Sequence, residues 1–258
     1  MACPLRQHWS SFTRMAKPDY IASDAHLGAR TRERERRFIA FLDHVGSSAG
    51  SLLINGDLFD FWFEYGRVIP GQNFRVLAAL AALVDAGVPV TLMGGNHDAW
   101  GGRFLREQVG VAYHTGLWRT ALAGKPALVA HGDGLGRGDL RYRALKAAVR
   151  SPAVIALFRA IHPEIGLRIA EGVSRTETRQ DDAALRGRAQ FLQAWAAAQL
   201  EADPSLSWVV CGHAHMPACV DLGGGRYYLN AGDWIHHNSY IVIANGTPEL
   251  RAWPANPV

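Results

Sequence analysis

Cysteine is scarce in this 258-residue chain, which has only Cys3, Cys211 and Cys219. An odd set without a CxxC pair excludes a disulfide framework and a thiolate zinc knuckle, and it suits a reducing, cytoplasmic compartment. Long apolar runs are missing as well. No window reaches the length needed to cross a bilayer, and the opening stretch "MACPLRQHWSSFTRMAKPDY" holds no signal-peptide core. Internal repeats and low-complexity tracts are absent. So is a strong charge of one sign, since the net charge is +4 from 27 basic and 23 acidic residues. The excess is local: Arg137 to Arg188 carries eleven Lys/Arg against six Asp/Glu, which favours an anionic ligand or surface. That excess is not interleaved with stacking aromatics, so a nucleic acid is not the expected partner. No obligate protein partner is evident.

What is present is hydrocarbon and pattern. Hydrophobic residues make up 48% of the chain, enough for a sizeable core without staples, and 1–258 reads as one domain. Short apolar runs recur, each followed at once by chemically capable residues: "YIAS" before Asp24, "SLLIN" before Asp57, "VPVTLM" before Asn96, "PALVA" before His131 and "WVVC" before His213. Between them, Thr31 to Val45 and Phe74 to Ala86 have helical spacing, the second closed by Gly87 and Pro89. This alternation predicts an α/β layered fold with ligands gathered at the carboxyl ends of strands. From Asp139 to about Arg188 the pattern turns helical, with the apolar cluster "AVIALF", and reads as an insertion. "RYYLN" and "YIVIA" resemble antiparallel strands completing a second sheet.

The strand ends supply Asp24 and His26, Asp57, Asn96 and His97, His131, and His213 and His215. Carboxylate, amide oxygen and imidazole without thiolate suit Mn²⁺, Fe²⁺ or Zn²⁺. Seven ligands (Asp24, His26, Asp57, Asn96, His131, His213 and His215) are too many for one ion and suit two. A two-metal centre lowers the pKa of a bound water toward ~7 and clamps a phosphoryl oxygen, the chemistry of phosphoester or phosphoanhydride hydrolysis. Asp57, after Gly56, is the natural bridging carboxylate. His97 would face the substrate and, as an imidazolium, stabilise developing charge or protonate the leaving oxygen. Period-two geometry would put His213 and His215 on one side of an extended segment, each reaching a different ion. Cys211, inside the strand, reads as a small core residue.

Taken singly, each motif has an ordinary reading. Asp24/His26 could cap a loop, Gly56-Asp57 is common turn chemistry, and Asn96-His97-Asp98 could be a turn of residues that tolerate left-handed backbone. Five such motifs in order, each after a strand-like run, make the metal site the better reading. His8, His44, His114 and His162 read as surface or loop residues, His236-His237 as a polar turn, and "TRERERRF" (31–38) as a solvated helix start.

The ordered set DxH, GD, GNHD, HGD and GHxH resembles the calcineurin-like metallophosphoesterases. That resemblance implies a four-layer α/β/β/α sandwich and two divalent metal ions, often manganese. Asp24, His26, Asp57 and His215 would hold one ion; Asp57, Asn96, His131 and His213 the other. More narrowly, "GDLFDFWFEY", "HGDGLGRGDLRY" and the basic helical insertion resemble the UDP-2,3-diacylglucosamine diphosphatases of lipid A biosynthesis. This implies hydrolysis of the pyrophosphate to UMP and a diacylated glucosamine 1-phosphate, with Asp139 and Tyr142, beside Asn96, contacting substrate. The insertion would be a lid whose Val154, Ile155, Leu157, Phe158 and Ile161 sheathe acyl chains while its arginines meet phosphates, at the cytoplasmic face of the inner membrane. His97 and Met216 stand where the best-known branch has Arg, so a GNHD-bearing branch is nearer. A soluble nucleotide or other phosphodiester is the alternative substrate, and a non-catalytic scaffold the alternative role.

Overall fold

The computed structural model describes residues 17–28, 31–65, 67–135, 144, 147–169 and 182–254. Among the described residues eleven strands form two sheets. The first has the order β11-β10-β1-β2-β3-β4 and the second β5-β6-β7-β9-β8. In chain order these are β1 (Asp19–Ala22), β2 (Ser51–Asn55), β3 (Val90–Gly94), β4 (Ala112–Thr115), β5 (Trp118–Leu122) and β6 (Lys125–Val129). Then come β7 (Trp208–Cys211), β8 (Ala218–Asp221), β9 (Tyr227–Asn230), β10 (Ser239–Ala244) and β11 (Thr247–Ala252). Strands β1 to β4 run parallel, as do β6, β7 and β9.

Helix α1 (Arg32–Ser48) buries Phe38, Phe41, Leu42 and Val45, and α2 (Phe74–Asp85) buries Val76, Leu77, Leu80 and Leu83. Both stripes follow the 3.6-residue period and cover the outer face of the first sheet through Tyr20, Leu52, Ile54 and Leu92. Helix α3 (Pro152–Arg159) has no buried residue. Helix α4 (Asp182–Ala202) lays Leu192, Ala196 and Leu200 on Leu128, Val209 and Tyr228 of the second sheet. Between the sheets, Ile21, Leu53 and Met93 meet Val129, Trp208, Val210 and Leu229. The layers are therefore α/β/β/α, as expected. The segment set off as an insertion overlaps α4, because residues 182–188 already belong to that layer helix.

The five apolar runs read from sequence are the central parallel strands. One expectation fails in part: β9 joins the second sheet parallel to β7, whereas β10 returns to the first sheet, antiparallel to β1. Hydropathy does not say which of two stacked sheets a strand joins, since both bury one face in the same inter-sheet layer.

Candidate metal centre

Loops leaving the carboxyl ends of parallel strands from both sheets converge: β1, β2 and β3 from one, and β6, β7 and β9 from the other. Three groups of potential ligands result. In each, the ligand atoms lie within 4.8 Å of one another: Asp24/His26/His215, Asp57/His131/His213, and His26/Asp57/His97. Asp57 Oδ2 lies 3.2 Å from His131 Nε2 and 3.9 Å from His26 Nε2, so one carboxylate faces both ends of the cluster. Asn96 Oδ1 is 3.3 Å from His131 Nε2. All seven expected ligands are thus brought to one place. His97 lies close enough to be an eighth donor; its backbone N–H donates to Asp57 Oδ1 at 2.9 Å. Its Nδ1 lies 2.7 Å from the Asp60 carbonyl, which can only accept, so that nitrogen carries the proton.

The backbone is distorted to achieve this. Among the described residues eight non-glycine positions have positive φ, and five are Asp24 (51°), His26 (45°), Asp57 (50°), His213 (61°) and His215 (56°). Left-handed conformations in non-glycine residues cost on the order of 1–3 kcal/mol each and persist where surrounding structure holds them. His213 and His215 therefore do reach different groups, but not by strand alternation: the chain leaves β7 and makes two left-handed steps around buried Ala214. Glycine permits the close approach. A Cβ at Gly56 (φ 88°) would strike the His131 ring, and one at Gly95 would strike the Asp57 carboxylate.

Outer partners orient the ligands. His131 Nδ1 lies 2.9 Å from the Asn55 carbonyl, and His215 Nδ1 3.3 Å from Asp233 Oδ2. Asp98 accepts hydrogen bonds from the N–H groups of Gly95, Leu58 and Asp57, tying the β3 loop to the β2 loop. Burial, with the Asp57 charge added, pushes its carboxyl up to about 6. Arg34 donates to the carbonyls of His26 (2.8 Å) and Ala25 (3.3 Å), so this part of "TRERERRF" braces a ligand loop and is not a solvated face.

Sequence reasoning missed Asp233, Asp60, Asn55 and Arg34, and gave Asp98 no role. Asp233 carried a signal, since "NAGDW" after β9 repeats the strand-then-Gly-Asp pattern of "NGDLF". His236 and His237 are indeed in a turn, capped by Asp233 through their N–H groups, yet both also line the cleft. Asp139, Tyr142 and His8 lie outside the described residues. His44 and His162 are exposed, His114 stacks on Trp118, and Cys211 is a buried core thiol pushed up to about 12 by burial.

The donors fit divalent cations. His26 Nε2 is buried without a hydrogen-bond partner, an arrangement a bound cation would satisfy. Burial holds His26 well below the usual imidazole range and, with the charges of His131 and Arg188, takes His213 down to about 3, so both offer free lone pairs. His131 differs: burial acts to lower it, but the Asp57 carboxylate outweighs burial and holds it well above its ordinary value. His215 is likewise raised, by Asp233 and Asp24 against burial. Both His131 ring nitrogens face acceptors, Nδ1 the Asn55 carbonyl and Nε2 Asp57 Oδ2, so an ion bound at Nε2 must displace a proton held there. Calorimetric titration of Mn²⁺ near pH 7 is expected to release about one proton or more per chain, with affinity rising as pH rises. Heats independent of buffer ionisation enthalpy would contradict this.

The groups open onto a cleft of about 780 Å³, also lined by Leu185, Arg186 and Arg188 of α4 and by Ile235, His236 and His237. Imidazoles, carboxylates and two guanidinium groups line this cleft together, and Arg188 Nη1 also donates to the His213 carbonyl at 3.3 Å. Such a cleft can take an anionic substrate in contact with bound cations.

The sequences of known proteins agree with this construction. The sequence profile of the calcineurin-like phosphoesterases matches residues 20–217. A UDP-2,3-diacylglucosamine hydrolase of Porphyromonas gingivalis is 31% identical over 252 residues, covering 90% of this chain and 96% of that protein. One from Stenotrophomonas maltophilia (strain R551-3) is 32% identical over 236 residues, covering 87% and 94%. Among solved structures, the Escherichia coli phosphoesterase Yfce superposes with a TM-score of 0.46 at 15% identity, over 93% of this chain and 95% of its own. With its profile spanning β1 to the His215 loop and its relatives matched over nearly their whole length, this chain belongs to the calcineurin-like phosphoesterase family.

Proposed function

We propose that this protein hydrolyses the pyrophosphate bond of UDP-2,3-diacylglucosamine, giving UMP and 2,3-diacylglucosamine 1-phosphate. The supporting observation is near full-length similarity to proteins of that named activity, combined with a cleft lined by both the candidate ligands and two arginines. Family membership implies a di-metal site. In this reading Asp24, His26, Asp57 and His215 hold one ion, and Asp57, Asn96, His131 and His213 the other, manganese being the ion proposed. The ions would supply a water of lowered pKa and charge for the phosphoryl oxygens.

The chain's own residues do the rest. Arg186 and Arg188 bind the diphosphate from the α4 side, and His97 directs its Nε2 edge toward the scissile group, its other nitrogen being fixed by the Asp60 carbonyl. Asp139 and Tyr142 are assigned to substrate contact. The segment from 139 to the start of α4 serves as the lid. Its Val154, Leu157, Ile165 and Ile169 are exposed, an apolar surface suited to acyl chains and to peripheral contact with the inner membrane. No helix among the described residues is long and apolar enough to cross a membrane.

The reading is tested with Mn²⁺-loaded protein in ¹⁸O-water, comparing UDP-2,3-diacylglucosamine with its deacylated analogue. The lipid should be preferred in kcat/KM by at least about tenfold, equivalent to about 1.4 kcal/mol of acyl burial. Equal rates on both would transfer the assignment to soluble nucleotides or general phosphodiesters.

A further inference from the structure

The helical segment between β6 and α4 touches the ligand loops through a residue the chemistry above does not use. Arg150 Nη2 donates to the Gly95 carbonyl at 2.9 Å, and the same nitrogen lies 3.6 Å from Asp133 Oδ2. Gly95 immediately precedes Asn96 and His97, and Asp133 follows His131 by two residues. The Gly95 N–H already donates to Asp98 Oδ1 at 2.7 Å, so Arg150 and Asp98 pin the two peptide groups flanking Gly95. Asp133 is a buried carboxylate with 5% of its side chain exposed. Farther along the same segment, Phe158 packs among Phe63 (4.6 Å), Trp100 (5.1 Å) and Phe61 (6.1 Å), and Arg159 Nε donates to the Glu64 carbonyl. Between Arg150 and Arg159 the segment is thus seated at two places on loops that carry candidate ligands.

We propose that Arg150 is a positioning residue: it bridges the Gly95 carbonyl and the Asp133 carboxylate, coupling the seating of this segment to the placement of Asn96 and His97. Among the described residues Arg186 and Arg188 line the cleft and Arg150 does not; its contacts are the Gly95 carbonyl and the Asp133 carboxylate of the loops. A guanidinium fork serves a carbonyl and a carboxylate together; an ammonium offers a single point of charge. The proposal rests on the reading that Asn96 holds an ion and His97 faces substrate.

The test compares Arg150→Met and Arg150→Lys with the wild-type protein, each full length. Three quantities are read: Mn²⁺ affinity by titration, amide exchange over residues 95–98, and kinetics on UDP-2,3-diacylglucosamine and bis(4-nitrophenyl) phosphate. Arg150→Met should weaken Mn²⁺ binding and lower kcat by about 10–100-fold with KM changed less than about twofold, and should speed exchange at 95–98. Arg150→Lys should recover part of each. A raised KM with kcat intact would make Arg150 a substrate anchor and overturn the proposal. So would a lower Tm with metal affinity and exchange unchanged. If the wild-type protein ignored the lipid, the substrate assignment would fall, while metal affinity and exchange would still decide on Arg150.

Discussion

Asp57→Asn is expected to leave the protein folded and to lower turnover at least about 1000-fold, a loss of about 4 kcal/mol of transition-state stabilisation. The substitution is nearly isosteric. Asparagine tolerates the left-handed backbone that Asp57 adopts at φ 50°, and its amide oxygen can still accept the His97 N–H. What disappears is charge. Burial acts to raise the Asp57 carboxyl, but His131, His97 and His26 outweigh it and hold the group well below the usual carboxylate range, so it is ionised at any working pH. It is the carboxylate that faces both His26 and His131; Asp60, in the same loop, lies 3.8 Å from the other ring nitrogen of His26. Metal analysis after dialysis should show fewer than two ions per chain. A variant that kept two ions and turned over within tenfold of the parent would refute the bridging role.

Trp234→Ala is expected to have the largest effect on stability. The indole is fully buried against Phe38 (4.8 Å, edge-on) and Phe41 (4.9 Å) of α1, and its backbone N–H donates to the Asp24 carbonyl at 3.2 Å. Truncation leaves a large cavity and should cost about 3–5 kcal/mol, lowering Tm by on the order of 10 °C. Trp234→Phe should be much milder, below about 2 kcal/mol. The smaller ring loses contact, but it also removes an indole N–H that is buried without a partner. The site should respond in step, since Trp234 adjoins Asp233, which orients His215. Thermal melts of both variants check the ranking; equal shifts for Ala and Phe would mean that the cavity does not govern the cost.

Much of this was legible in the chain. The five apolar runs are the inner strands, and α1 and α2 begin within one residue of where the sequence puts them. The strands that sequence reasoning passed over are β4, β5, β8 and β11, and these are the four sheet edges. An edge strand is solvated along one side and needs no apolar run: "AYHT", "ACVD" and "TPELRA" carry no period-two signal strong enough to read. The candidate ligands could be grouped because motif order survives in the chain, while Asp60 and Arg34 were passed over because a brace looks like any surface charge until its partner is known.

The amino-acid order alone determined the ligand types, their sequence of appearance and the strands that precede them, because these follow from local hydrophobic period and residue chemistry. The tertiary structure decided the rest: which sheet β10 joins, that His213 and His215 diverge by left-handed backbone steps, and that Asp233, Asp98 and Arg150 stand behind the ligands. Those outcomes depend on contacts between residues far apart along the chain, and a one-dimensional pattern does not specify such distances.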